Sequence, residues 1–177
     1  DSVECTKNDG WLSVTSFVHE LFPKFDADDI ITKMMANKRK FSMGKYAGMT
    51  RQDIKDAWRR NADSSTSTGS YIHLCCEKFY NKIEIDMEDE EFIQVKKEFQ
   101  NFQNFVNDHK DLKPFRTEMI VFDEELKITG SIDMLFEDSD GNLIIADWKR
   151  TKDPILMKND YNKKASHHLV SHLHDCN

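Results

Sequence analysis

Glycine and proline are scarce in this 177-residue chain, six and three residues respectively. So small a supply of turn-formers excludes a low-complexity linker and argues against an all-β protein with many tight turns. No apolar run approaches the roughly 18 residues of a membrane helix, so no membrane partner is expected. Cysteine is confined to Cys5, Cys75, Cys76 and Cys176. Adjacent Cys75 and Cys76 do not bridge easily, and no Cys-x2-Cys pair exists for a zinc or iron–sulfur site. The thiols are therefore read as free, small apolar filler in an intracellular reducing compartment. Also missing are G-x-x-x-x-G-K-[ST], G-x-G-x-x-G, H-E-x-x-H and G-x-S-x-G. Motor ATPase, Rossmann and serine hydrolase readings thus lack support. The chain begins at Asp1 rather than Met, as an internal or processed fragment would. What is present, 38% hydrophobic and 32% charged residues, suits one globular domain spanning 1–177.

The net charge of −7 argues, taken alone, against a nucleic-acid binder. The distribution argues otherwise. Residues 31–60 hold nine Lys and Arg, among them Lys38, Arg39, Lys40, Arg59 and Arg60, against Asp53 and Asp56. Residues 147–164 are also net basic and include Lys149, Arg150 and Lys152. The acidity sits mainly in 84–91 and 123–140. Such asymmetry permits a basic groove on an acidic protein, with ordinary solvated helix faces as the alternative.

Residues 1–64 read as a helical N-terminal part. Ser13 or Thr15 can cap a helix through Phe22 that Pro23 stops, and Asp26 or Asp28 can cap one bearing Ile30, Ile31, Met34 and Met35. Residues 38–49 have two glycines and no period, and read as a loop. Thr50 and Asp53 have the form of a capping box opening a helix through Trp58. Residues 61–70, rich in Ser and Thr, read as a loop or a helix start. Helical spacing returns over Ile72–Tyr80 and from Glu90 to about Lys110. Beyond Pro114 the texture becomes β: 118–122, 127–136 and 143–148 are strand-like, and Asp140-Gly141 marks a hairpin turn. Helix is expected again after Pro154. The expected fold class is α/β, with helices flanking a twisted sheet that contains a three-strand antiparallel meander.

Asp133 and Asp147 are the informative residues. Each lies in a run of apolar strand residues, and burying a lone carboxylate is costly enough that such groups pair or bind metal. Two hairpin-linked strands can converge both carboxylates on one cation, and hard oxygen ligands suit Mg²⁺ or Mn²⁺. Lys149 follows Asp147 by two residues, on the same face of a strand. An ammonium there can orient a metal-bound water and counter the charge of a phosphate. The alternative is a turn or edge Asp133 and a solvent-facing Asp147–Lys149 pair.

These residues resemble the PD-(D/E)XK nuclease superfamily. Gly130-Ser131-Ile132-Asp133 is similar to the G-x-x-D strand of its RecB-like exonuclease branch, and Ile144-Ile145-Ala146-Asp147-Trp148-Lys149 to its D-x-K strand. Gly69-Ser70-Tyr71-Ile72-His73 resembles that branch's G-(S/T)-x-x-H helix element, in the right order. The N-terminal Ser13–Asp26 stretch, with Tyr46–Thr50 and Glu77–Asn81, is similar to nucleases of large DNA viruses and to the mitochondrial genome-maintenance exonuclease group. The resemblance implies a restriction-endonuclease-like core over 65–177. It implies His73, Asp133 and Asp147 as metal ligands with the Trp148 backbone carbonyl, and Lys149 as the catalytic lysine. Asp147 stands where the superfamily most often has Glu. A following Gln- and Tyr-bearing helix is not found after Lys149, which leaves open a natural chain that continues.

Other residues carry two readings each. Glu118, on the strand before Asp133, is a further site carboxylate or an exposed edge acid. Glu77, one helical turn from His73, is a partner that orients the imidazole or a surface residue. His168 and His172, spaced i, i+4, could chelate zinc or simply face water. Trp148 is core or a stacking platform, whereas Trp11 and Trp58 read as core. The expected function is Mg- or Mn-dependent hydrolysis of DNA, with Lys38, Arg39, Lys40, Arg59, Arg60, Arg150 and Lys152 as nucleic-acid contacts. The RecB-like resemblance implies exonuclease action on single-stranded or free-ended DNA. The alternatives are an RNA endonuclease of the cap-snatching type and a non-catalytic nucleic-acid-binding module.

Overall fold

A computed structural model describes residues 10–151. The expected helix after Pro154, with Lys152, His168 and His172, lies outside the described residues. Five helices and a four-strand mixed sheet make a mixed α/β architecture: β1 (Leu12–Ser13), α1 (Val14–Glu20), α2 (Ala27–Ala36), α3 (Lys38–Ser42), α4 (Arg51–Tyr80), α5 (Glu90–Asp108), β2 (Lys113–Asp123), β3 (Ile128–Glu137) and β4 (Leu143–Ala146). The described residues divide into two compact units, 24–68 and the combination of 10–23 with 69–151.

Local chemistry sets most helix starts. Ser13 Oγ accepts from the Ser16 N–H at 3.0 Å, and Asp26 Oδ1 from the Asp29 N–H at 3.0 Å. Thr50 and Asp53 close a reciprocal box: the Asp53 N–H donates to Thr50 Oγ1 at 3.2 Å, and the Thr50 N–H to Asp53 Oδ2 at 2.9 Å. The expected loop over 38–49 instead opens with α3, because Asn37 Oδ1 accepts from the Lys40 N–H at 3.0 Å and caps a turn that carries no apolar period. The Ser/Thr-rich stretch 61–70 is neither loop nor helix start. It lies within α4, where the Thr68 hydroxyl donates to the Ser64 carbonyl at 2.6 Å and so does not compete with the helix.

In 24–68 the fully buried hydrophobic side chains are Ile31 and Ile54. Trp58 packs edge-on against Phe25 and Tyr46, and its Nε1–H donates to the Tyr46 hydroxyl at 2.8 Å. The other unit has the larger core. One stripe of α5 (Phe92, Val95, Phe99 and Phe102) meets Ile72, Cys75 and Cys76 of α4. Trp148 packs edge-on against Phe102 and Phe105, which assigns its ring to packing. Cys75 and Cys76 are free and each 1% exposed, as the filler reading expects. Burial pushes the Cys76 thiol up to about 12, helped by Cys75 and Asp133 nearby.

β3 is the axis of the sheet. It pairs antiparallel with β2 along one side, and on the other with β1 in parallel and β4 antiparallel. The meander is therefore as expected, while two-residue β1 has no sequence signal of its own. Asp138 shapes the β3–β4 turn, accepting from the Asp140 and Asn142 N–H groups, with Gly141 at φ 82°. Gly130 lets α1 approach β3: a Cβ there would stand 3.2 Å from Val14 Cγ2. β4 stops at Ala146, so Asp147-Trp148-Lys149 lies beyond the strand rather than inside it. No helix of the described residues is long and apolar enough to cross a membrane.

Candidate metal centre

Three side chains from three elements converge. His73 comes from α4, Glu118 from β2 and Asp133 from β3, with one ligand atom of each within 4.8 Å of the others. The β2–β3 ladder explains the carboxylates. Thr117 pairs with Met134 and Met119 with Ile132, so Glu118 and Asp133 occupy the opposed position between them. Opposed residues share a sheet face, and two like charges there repel unless a cation or proton intervenes. The Glu118 backbone turns into the left-handed region at φ 45° in the middle of the strand. Non-glycine residues avoid that region, and such strain persists only where its surroundings impose it.

Each carboxylate is also oriented. Asp133 Oδ2 accepts the Trp148 backbone N–H at 2.8 Å and lies 3.3 Å from His73 Nδ1. Glu118 Oε2 accepts from the Ser131 hydroxyl at 3.0 Å. Asp133 is nearly buried, its side chain 13% exposed, and the His73 side chain is 29% exposed. Glu118 is open to solvent and lines a depression of about 490 Å³ with Gly69, Ser70, His73, Leu74 and Glu77. Glu77 thus borders the same space, but among the described residues no hydrogen bond joins it to His73.

Asp147 and Lys149 form a separate pair. Lys149 Nζ stands 2.9 Å from Asp147 Oδ1 and 2.8 Å from its Oδ2, with both side chains more than half exposed. The reading of Asp147 as a carboxylate embedded in an apolar strand does not hold. β4 has ended, and Leu143 and Ile145 are themselves 56% and 67% exposed. Asp147 follows directly on the last β3–β4 pair, Met134↔Ala146, which places it next along the ladder toward Asp133. Trp148 meets Asp133 through its N–H, where the resemblance offered its carbonyl.

The expected nucleic-acid contacts fall in several places. Lys38, Arg39 and Lys40 form the exposed start of α3, and Arg60 is exposed on α4. Arg59 is ion-paired with Asp56, and Arg150 Nε with Glu98 Oε1 at 2.9 Å. Ser131 joins the site without having been expected there. A signal for it exists, since it precedes Asp133 by two on one strand and so shares its face.

The donor set, two carboxylate oxygens and an imidazole nitrogen, is one that could hold a metal ion. No protein-family model matches the chain, and no curated protein matches it.

Proposed function

We propose that this chain is a metal-dependent nuclease that hydrolyses DNA phosphodiester bonds on a restriction-endonuclease-like core of the PD-(D/E)XK type. The observation that carries the reading is the convergence of His73, Glu118 and Asp133, with Asp147 and Lys149 flanking the Trp148 whose N–H reaches Asp133. Opposed carboxylates, of which Glu118 lines an open depression, repel each other and are suited to a divalent ion. A lysine beside them is suited to an anionic substrate.

His73, Glu118 and Asp133 would hold Mg²⁺ or Mn²⁺, which when bound supplies Lewis acidity and an acidified water. The chain's own residues do the rest. The Trp148 N–H and the Ser131 hydroxyl fix the two carboxylates, so the site needs little reorganisation on loading. Asp147 holds the Lys149 ammonium in place, and the ammonium is exposed to an incoming phosphate. Its positive charge offsets the negative charge that grows on the phosphoryl oxygens, and such prearranged charge is a large part of phosphodiester catalysis. A protonated amine has no lone pair, so Lys149 acts on substrate or water and not as a ligand.

The test is cleavage of end-labelled single-stranded DNA, duplex DNA and RNA in parallel, with Mg²⁺, Mn²⁺ and EDTA. Metal-dependent cleavage of DNA that is lost in Asp133→Asn is the expected result. Preferential RNA cleavage would move the assignment to an RNA endonuclease. Binding without cleavage of any substrate would leave a nucleic-acid-binding module.

A further inference from the structure

The unit formed by residues 24–68 carries a concavity of its own, about 600 Å³ in volume. Met34, Phe41 and Tyr46 give it half-buried apolar and aromatic surface, and the exposed side chains of Lys33, Lys40 and Lys45 border it. The Tyr46 ring is held in place from behind by its hydroxyl's bond to Trp58. Lys45 Nζ stands 5.4 Å from the centre of that ring. Lys33 is engaged by Asp29 at 2.6 Å, whereas among the described residues no carboxylate pairs with Lys40 or Lys45. From Ile30 to Gln52 the sequence contains no Asp or Glu but has Lys33, Lys38, Arg39, Lys40, Lys45 and Arg51. An acid-free stretch of this length in a chain of net charge −7 points to an anionic occupant. Another concavity of the unit, against Phe25 and Trp58, differs in this respect: Lys55 is paired with Asp28 and Arg59 with Asp56.

The occupant must be anionic and must also fill apolar, aromatic space. A free phosphate meets only the first condition. A partner helix would need a groove long enough for anchors at i, i+3, i+4 and i+7, whereas the apolar surface here is confined to one cup. A nucleotide of a single strand meets both conditions, with its base against aromatic and thioether surface and its phosphates on ammonium groups. A duplex does not, because its bases are stacked inward. We propose that this concavity is a single-stranded nucleic-acid subsite. It seats one unstacked base against Phe41 and Met34 and the flanking phosphates on Lys40 and Lys45. The inference rests on the nuclease reading and deepens it by placing a subsite for one strand on residues 24–68.

The test is fluorescence anisotropy in EDTA, where no cleavage occurs, with a labelled 20-nucleotide oligo(dT), an abasic strand of equal length and a duplex. Removing bases should weaken binding by roughly 5–160-fold, the range for removing one base from an aromatic stack. Lys40→Gln/Lys45→Gln should weaken oligo(dT) binding and lower its salt slope by roughly 0.7 for each lysine–phosphate pair removed. Both lysines are exposed, so the fold should tolerate the change. Equal affinity for abasic strand and oligo(dT), an unchanged slope, or displacement of oligo(dT) by polyglutamate at equal concentration would each overturn the subsite. Cleavage with Mn²⁺ separates the two claims. A chain that binds oligo(dT) through Lys40 and Lys45 but cuts nothing keeps the subsite and loses the nuclease. One that cuts oligo(dT) while its affinity ignores both bases and lysines keeps the nuclease and loses the subsite.

Discussion

Residues 24–68 and the sheet-bearing unit differ in charge and in core. The sheet unit presents two opposed carboxylates with a histidine and has a phenylalanine-rich core drawn from α4 and α5. Residues 24–68 present lysines and arginines, and among hydrophobic side chains bury only Ile31 and Ile54 fully. The contrast teaches two things. A net charge of −7 is an average over an acidic cluster and a lysine- and arginine-rich stretch, and it describes neither. Packing is divided in the same way: the acidic cluster sits on the larger aromatic core, and the basic stretch on a much smaller one.

The contrast breaks most decisively at the acidic site. Asp133→Asn should lower Mn²⁺-supported cleavage of single-stranded DNA by at least on the order of 10²–10³, and Lys149→Ala by a similar factor. The two variants should separate in calorimetry, Asp133→Asn losing metal affinity and Lys149→Ala keeping it. Cleavage by Lys149→Ala at the wild-type rate under single-turnover conditions would remove the lysine from the chemistry. On the basic side, Lys38→Ala/Arg39→Ala/Lys40→Ala should leave Mn²⁺ affinity unchanged. It should flatten the salt dependence of single-strand binding by roughly 0.7 of a log–log unit for each phosphate left without its cation. An unchanged slope would make α3 ordinary surface.

How much of this is legible in the sequence differs between the same regions. Caps are local, so the Thr50–Asp53 pair can be read directly, and Ser13 and Asp26 each as one of two candidates. The period of α5 and the Asp140-Gly141 turn are equally plain, because burial of one stripe and a positive φ leave marks in composition. Asn37 caps a helix without an apolar period, so α3 leaves no such mark. The 61–70 stretch misleads because Ser and Thr more often break helices than sit within them. At the site, His73 and Asp133 stand out in the sequence, with Glu118 as one of two readings of its strand. Their arrangement does not. The end of β4 at Ala146 and the left-handed Glu118 backbone depend on how three strands meet, which no local pattern encodes.

Smaller effects test the scaffold. Gly130→Val would push into Val14 of α1 and should cost about 1–3 kcal/mol in urea unfolding, as overpacking does. An unaltered midpoint would show that α1 yields without cost. Thr50→Ala should cost about 1 kcal/mol, the usual value for removing an N-cap. The Asp53 carboxyl of the same box is held below its ordinary 3.8 by the Thr50 hydroxyl and N–H. Its folded value is depressed, so its contribution is fully present above the unfolded value and is lost as pH falls through the folded one. Acid unfolding should therefore lose part of its steepness below pH 3.8 in Asp53→Asn.

The central claim is that His73, Glu118 and Asp133 hold one divalent ion. Calorimetric titration of Mn²⁺ into the wild type, Glu118→Gln and Asp133→Asn tests it most directly. One ion per chain is expected in the wild type, with affinity at least about tenfold weaker in each variant while circular dichroism stays unchanged. Equal Mn²⁺ affinity in all three proteins would contradict the account.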